Sequence, residues 1–239
     1  MLKFLLKHLR TWRHFLLNKQ YSVSLITGFL WLIIALVTNY YISSYNETFV
    51  TFGVGDLILD NIPTLDLNYF YTIGIYVVIF SLLAYAFFVP ELVPFALKTF
   101  AIFVLVRSCF ISLTHIGPPP GFYQLAGPDA DSTFFQKFFF LNDLFFSAHT
   151  GIPFLAFLLL KGHIFRYFFL FASIILGATV LFMHVHYSID VFGAYFITYG
   201  IYHLSDNIFH NLNEAFHRLM LIVENRERRF FKNYKKNNF

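Results

Sequence analysis

The chain has 239 residues and a single cysteine, a length that would suit one or two soluble domains. Its hydrophobic fraction of 58% exceeds the roughly 45–50% of globular domains, and its charged fraction of 13% is about half of theirs. These values exclude a disordered chain and a disulfide scaffold, and they indicate that lipid is the main solvent. The net charge of +4 comes from basic residues near the two ends, which is typical of a membrane protein and predicts no nucleic-acid partner.

The first segment, residues 1–20, combines an apolar helical stripe with basic residues on its other faces. This pattern predicts an amphipathic helix that lies on the surface of anionic lipid at the cytoplasmic side. The stripe is Leu2, Leu5, Leu6, Leu9, Trp12 and Leu16, and the basic residues are Lys7, Arg10 and Arg13.

Residues 21–203 contain six apolar windows, and a helix needs roughly 20 apolar residues to cross the hydrocarbon of a bilayer. The predicted fold class is therefore all-α: a polytopic membrane protein with six transmembrane helices, an amphipathic N-terminal helix and a basic C-terminal tail over residues 204–239. The six predicted spans are 21–42, 69–89, 93–114, 145–160, 164–183 and 186–203.

The distribution of lysine and arginine predicts the orientation of these spans, because short basic segments are retained in the cytoplasm. Both termini are basic, whereas the loop over residues 43–68 has no Lys or Arg and carries four acidic residues. We therefore expect both termini to be cytoplasmic and this loop to lie on the non-cytoplasmic face.

Several ionisable residues from distant parts of the chain fall on that same predicted face. Such residues are costly near a membrane, so each is a hypothesis of function. His186 and Asp190 are four residues apart at the start of a helix, which places both on one helix face. The full set is Arg107, His115, Asp143, His149, His184, His186 and Asp190.

Two imidazoles and a carboxylate can transfer a phosphoryl or phosphodiester group without a metal. Asp190 would fix the tautomer of His186, which would attack phosphorus. His149 would donate and accept the proton, and Arg107 would neutralise the developing charge. No cofactor is predicted.

Two other interpretations of these polar residues are open. Zinc could be held by His149, His184, His186 and Asp190. However, His184 and His186 are two residues apart, and on a helix they would point in directions about 200° apart. A structural role in interhelical hydrogen bonding is the other interpretation, and it applies above all to His115, Asp143 and His184.

Two stretches resemble the catalytic motifs of a known enzyme family. They are Asp143-Leu-Phe-Phe-Ser147-Ala148-His149-Thr150 and His186-Tyr187-Ser188-Ile189-Asp190-Val191. Both resemble the sphingomyelin synthase family, a branch of the type-2 phosphatidic acid phosphatase superfamily. A third block fits as well, with Arg107-Ser108 followed by Thr114 and by the prolines from Pro118 to Pro120. The resemblance covers the chain from the third to the sixth predicted span.

The resemblance implies a lipid phosphotransferase. It implies transfer of phosphocholine or phosphoethanolamine from a glycerophospholipid donor to ceramide or another lipid alcohol, through a phospho-histidine intermediate at the non-cytoplasmic face. The catalytic residues would be His149, His186 and Asp190, and the phosphate-binding residues Arg107, Asp143, Ser147 and Tyr187.

Two alternative functions are open. The first is a lipid phosphate phosphatase or phospholipase-type hydrolase with the same triad. The second is a non-catalytic membrane scaffold or transporter. Phosphatases of the superfamily carry Ser-Arg where this chain has Thr179-Val180, which favours the transferase.

Overall fold

The computed structural model describes residues 2–49, 52–123 and 144–237, and within these ranges the chain is helical and has no β-strand. The predicted all-α class is thus confirmed for the described part of the chain. Two short 3₁₀ helices, Leu59–Asn61 and Pro90–Leu92, are also present. The α-helices are α1 Leu2–Leu17, α2 Lys19–Asn46, α3 Asn68–Phe88, α4 Val93–Leu113, α5 Ala148–Leu159, α6 Arg166–Phe182 and α7 Ser188–Asn237.

Three helical segments of the described residues are long and apolar enough to cross a membrane: α2, α3 and the continuous segment Pro90–Leu113. The prediction of six spans is not confirmed. The 12 residues of α5 extend over about 18 Å at a rise of about 1.5 Å per residue, whereas the hydrocarbon core measures roughly 30 Å. With 17 residues, α6 is also shorter than the three candidate spans, and α7 is not among them.

α2 and α4 run parallel and form the most extensive helix pair of the described bundle. The Lys98 ammonium donates to Ser24 Oγ near the start of both helices, and Ser108 Oγ donates to Asn39 Oδ1 near their ends. Gly28 allows this close approach, since a Cβ there would lie only 3.1 Å from the Cβ of Leu97. Small residues at helix contacts are the usual means of packing helices in lipid.

α5 lies against both α6 and α7, and this packing fixes the position of its first turn. Phe103 of α4, Phe146 and Leu155 form a core with less than 2% exposure beside α5. Ser173 Oγ of α6 donates to the Thr150 carbonyl at 2.8 Å, which ties α6 to the first turn of α5. The start of α5 is therefore held beside the start of α7.

α1 forms as predicted, and it is anchored by Trp12 of the predicted apolar stripe, whose indole N–H donates to the Phe87 carbonyl at 2.8 Å, and by a side chain outside that stripe. Phe15 is fully buried, and its ring centroid lies 4.8 Å from that of Tyr21, which in turn contacts Phe216 of α7 at 5.2 Å. Leu9 and Leu16 of the stripe are about half exposed, at 48% and 50%. α1 thus packs on the bundle through Trp12 and Phe15 and turns part of its leucine stripe outward.

α7 runs across the predicted boundary between a last span and a tail at residues 203 and 204, which stays a prediction. The helix continues without interruption from Ser188 to Asn237. Its later part keeps an apolar stripe, because Leu212, Phe216 and Leu219 recur every three or four residues and pack on α1 and α2. Contact with the bundle therefore extends the helix where the composition predicted only a basic tail.

Candidate active site

The segment that enters α7 places a histidine beside a carboxylate of the first helical turn. His186 Nδ1 lies 3.4 Å from Asp190 Oδ2, and the same oxygen accepts the Tyr187 backbone N–H at 2.9 Å. His186 is 6% exposed and Asp190 is 2% exposed. Asp190 thus caps the helix and faces one imidazole nitrogen, which leaves His186 Nε2 as the nitrogen directed away from the carboxylate.

The segment before α5 connects this turn to the arginine of α4. The Ser147 backbone N–H donates to the Asp190 carbonyl at 3.1 Å. One residue earlier, the Phe146 carbonyl accepts Arg107 Nε at 2.8 Å. Arg107 is buried, so its guanidinium is positioned inside the bundle and not in solvent. Two consecutive residues of this segment therefore bridge α4 and α7.

His149 lies in the first turn of α5 and is 4% exposed. It is within electrostatic range of both His186 and Arg107. Its ring stacks on that of Tyr71 from α3, with centroids 4.0 Å apart and planes inclined by 23°. Side chains of α3 and α4 and of the segment before α7 thus contribute to the surroundings of this imidazole of α5.

The start of α5 offers a second source of positive potential. No side chain of the described residues caps its first turn. The first N–H groups of a helix bind anions readily, because they point away from the helix and carry the positive end of its dipole. Arg107 and this helix end can therefore neutralise a phosphate together.

The structure brings together six of the seven residues predicted for the site. Asp143, the seventh, lies outside the described residues. Ser147 is fully buried, and its Oγ lies 3.3 Å from the Thr150 hydroxyl. The six residues are Arg107, Ser147, His149, His186, Tyr187 and Asp190.

The hydroxyl of Tyr187, a predicted phosphate-binding residue, is held by two backbone groups. Its hydroxyl donates to the Gly117 carbonyl at 2.8 Å and accepts the Val54 backbone N–H at 3.0 Å. Both of these partners belong to loops outside the helices. Because the hydroxyl is engaged by backbone groups, its geometry favours a role in fastening these loops to α7.

The two histidines assigned to a structural alternative contact partners outside the predicted catalytic set. His184 has a left-handed backbone, with φ of 53°, and its Nδ1 lies 3.0 Å from the Pro120 carbonyl. His115 is exposed and contacts the ring of Phe49. Within residues 2–49, 52–123 and 144–237, no three His, Cys, Asp or Glu side chains are grouped as metal ligands would be.

Asp56 is a residue of this site that the sequence interpretation missed. Its Oδ2 accepts the Ser188 backbone N–H at 2.8 Å, while its Oδ1 accepts the N–H groups of Ile58 and Leu59 at 2.9 and 3.2 Å. One carboxylate therefore closes its own turn and caps α7 two residues after His186. The sequence around Asp56 could indicate only that its carboxylate closes a local turn. It could not indicate the bond to Ser188, which is 132 residues away.

Replacing Asp56 with asparagine is expected to lower the free energy of unfolding by about 2 kcal/mol, the value of a hydrogen bond to a charged group. Burial opposes ionisation of Asp56, but the hydrogen bonds from Ser188 and from its own turn outweigh this and lower its pKa. A carboxyl whose pKa is lower in the folded than in the unfolded state stabilises the fold at any pH above its unfolded-state pKa. This stabilisation is lost as the pH falls through the folded-state pKa.

The measurement is thermal unfolding of the purified protein in detergent between neutral pH and about pH 3, a range that includes the ordinary aspartate pKa of about 3.9. The difference between wild type and D56N should be largest at neutral pH and should shrink in acid. The matched control is D60N, because Asp60 is exposed in the same loop. Equal unfolding temperatures for wild type and D56N at neutral pH would contradict the assigned cap.

Comparison of the chain with family models, with curated proteins and with solved structures gives no match in any of the three.

Proposed function

We propose that the chain is a membrane phosphotransferase that moves a phospho-head group from a glycerophospholipid to a lipid alcohol. The observation that carries the proposal is the buried His186–Asp190 pair with a second histidine and an arginine within electrostatic range. Two imidazoles with different partners are suited to different tasks, one as nucleophile and one as acid and base.

In the first step, Nε2 of His186 attacks the phosphorus of the donor. A nitrogen–phosphorus bond forms, and the bond from phosphorus to the diacylglycerol oxygen breaks. His149, in its protonated form, gives its proton to this departing oxygen. Arg107 and the start of α5 neutralise the charge that develops on the phosphate oxygens.

In the second step, neutral His149 removes the proton from the hydroxyl of the acceptor. The acceptor oxygen forms a bond to phosphorus, and the bond to His186 breaks, which restores both imidazoles. The motif resemblance implies phosphocholine or phosphoethanolamine as the transferred group and ceramide or another lipid alcohol as the acceptor. Burial of the polar groups favours a lipid acceptor, because it restricts the access of water.

The proposal includes a bundle of six spans with cytoplasmic termini, in which α5, α6 and the first part of α7 also cross the membrane. Its support is that α1 and the later part of α7 pack together, as the cluster around Phe15 and Phe216 shows. α7 begins beside His186, so its later part lies at the other end of the bundle from the histidines. Basic residues near both chain ends favour that end as the cytoplasmic one.

The test uses the purified chain in liposomes that contain phosphatidylcholine labelled in its phosphocholine group. In the presence of ceramide, we expect label to appear in a sphingolipid together with an equal amount of diacylglycerol. Release of labelled phosphocholine at the same rate with and without ceramide would identify a hydrolase instead. If neither phosphatidylcholine nor phosphatidylethanolamine is consumed, the proposal is wrong.

A further inference from the structure

The bundle contains an open pocket of about 550 Å³ at the end away from the histidines, between α2, α4 and α7. Lys98 of α4 precedes Arg107 by nine residues, so the two are about 13 Å apart along the helix at a rise of about 1.5 Å per residue. The pocket is therefore separate from the candidate active site. Its lining consists of Lys19, Gln20, Val23, Ser24, Thr27, Lys98 and Leu212.

Lys98 is a buried cation without a carboxylate partner among the described residues. Its side chain is 7% exposed, its ammonium donates to Ser24 Oγ at 2.7 Å, and it stands 5.2 Å from the centroid of the Phe209 ring. A hydroxyl and an aromatic face do not neutralise a positive charge. Because a buried charge is costly unless it is paired, this ammonium is suited to an anion that enters the pocket.

Lys19 and the polar side chains of α2 complete the binding surface for such an anion. Lys19 and Gln20 begin α2, and Thr27 lies two turns further on the same side of the pocket. Two ammonium groups and an amide are donors that bind phosphate oxygens, whereas the Thr27 hydroxyl already donates to the Ser24 carbonyl at 3.0 Å. The pocket therefore combines a mostly apolar lining with two ammonium groups, which suits a phosphate that carries apolar chains.

The surface next to the pocket is apolar and belongs to a candidate membrane span. Trp31 follows Thr27 by one helical turn, and its ring lies 6.5 Å from that of Phe209 in an edge-on arrangement. Ile26 and Leu30 of the same helix are exposed. A ligand with acyl chains can thus place its phosphate at Lys98 and its chains along α2, whereas a soluble phosphate gains nothing from this surface.

We infer that this pocket binds the phosphate of an anionic phospholipid in the leaflet opposite to the candidate active site. On the predicted orientation this is the cytoplasmic leaflet. Lys98 and Lys19 contact the phosphate, and the apolar side of α2 contacts the acyl chains. This inference is independent of the proposed function, because lipid binding at Lys98 requires no turnover at His186.

The experiment is native mass spectrometry of the full chain, released from detergent micelles that contain increasing amounts of phosphatidylglycerol. We expect K98M to bind the lipid about tenfold more weakly than wild type, the effect of losing one charge-assisted hydrogen bond. The matched control is K161M, because Lys161 is an exposed lysine in the loop between α5 and α6. It should bind phosphatidylglycerol as wild type does.

A second variant covers the case in which K98M does not fold. S24D places a carboxylate beside the Lys98 ammonium, so it supplies the missing anion internally and should also weaken phosphatidylglycerol binding. Phosphatidylcholine is expected to bind much more weakly than phosphatidylglycerol, and millimolar inorganic phosphate should not displace the lipid. Unchanged binding in both S24D and K98M, equal binding of the two lipids, or displacement by inorganic phosphate would overturn the inference.

Discussion

Replacing His186 with alanine is expected to reduce head-group transfer by at least about 10³-fold, because the nucleophile that carries the phospho-head group is lost. Asp190 then has no imidazole to orient, so its own replacement should add little to the H186A defect. The measurement is the initial rate of transfer from labelled phosphatidylcholine to ceramide by purified, detergent-solubilised protein.

The control for this variant is H115A, since His115 is an exposed histidine whose ring contacts Phe49. It should transfer at the wild-type rate. A thermal unfolding curve for H186A excludes a folding defect as the cause. Transfer by folded H186A at more than a tenth of the wild-type rate would favour a scaffold or transporter, or a nucleophile elsewhere in the chain.

Replacing His149 with glutamine is expected to reduce transfer by about 10²- to 10⁴-fold, the usual contribution of a general acid and base. Unlike the His186 variant, this one keeps the nucleophile. The reaction rates of the two variants should therefore depend differently on the leaving group of the donor. The measurement compares these rates for a donor whose leaving group needs no proton.

The discriminating donor is p-nitrophenyl phosphocholine, whose leaving group departs without receiving a proton. In H149Q, the initial burst of p-nitrophenol release should proceed at close to the wild-type rate. In H186A, this burst should be absent. Recovery in both variants, or in neither, would show that the roles assigned to the two histidines are wrong.

The helical character of the chain could be predicted from sequence because it depends on local composition. The predicted spans 21–42, 69–89 and 93–114 differ from α2, α3 and α4 by only a few residues at each end. The predicted spans 145–160 and 164–183 match α5 and α6 equally well, whereas α7 continues far beyond the predicted end at residue 203. A window of apolar residues indicates burial or lipid contact but does not fix where hydrogen bonding begins, and the end of α7 depends on contacts with α1.

The local part of the candidate site was also accessible from sequence. His186 lies two residues before α7 and Asp190 lies in its first turn, so a separation of only four residues keeps the two side chains close. The remaining contacts depend on how distant segments pack. Asp56 bonds to Ser188, which is 132 residues away. Tyr71 is one of many aromatic residues in the apolar spans, and only the packing of α3 shows that its ring stacks on His149.

The hydrogen bonds of Tyr187 also could not be predicted from its motif. Its place beside His186 suggested contact with phosphate, but the hydroxyl bonds to Gly117 and Val54, two loop residues whose positions depend on the fold. A motif thus identified the neighbourhood of the residue, whereas the direction of its side chain required tertiary contacts.

The most direct test of the account is to identify the atom that carries the head group during transfer. H149Q treated with p-nitrophenyl phosphocholine should form the intermediate and be unable to pass it on, because the base for the second step is missing. Peptide mass spectrometry should then show one phosphocholine group on His186, lost in acid and stable in alkali. Modification of a different residue, or p-nitrophenol release without any modified peptide, would contradict the phosphotransferase mechanism.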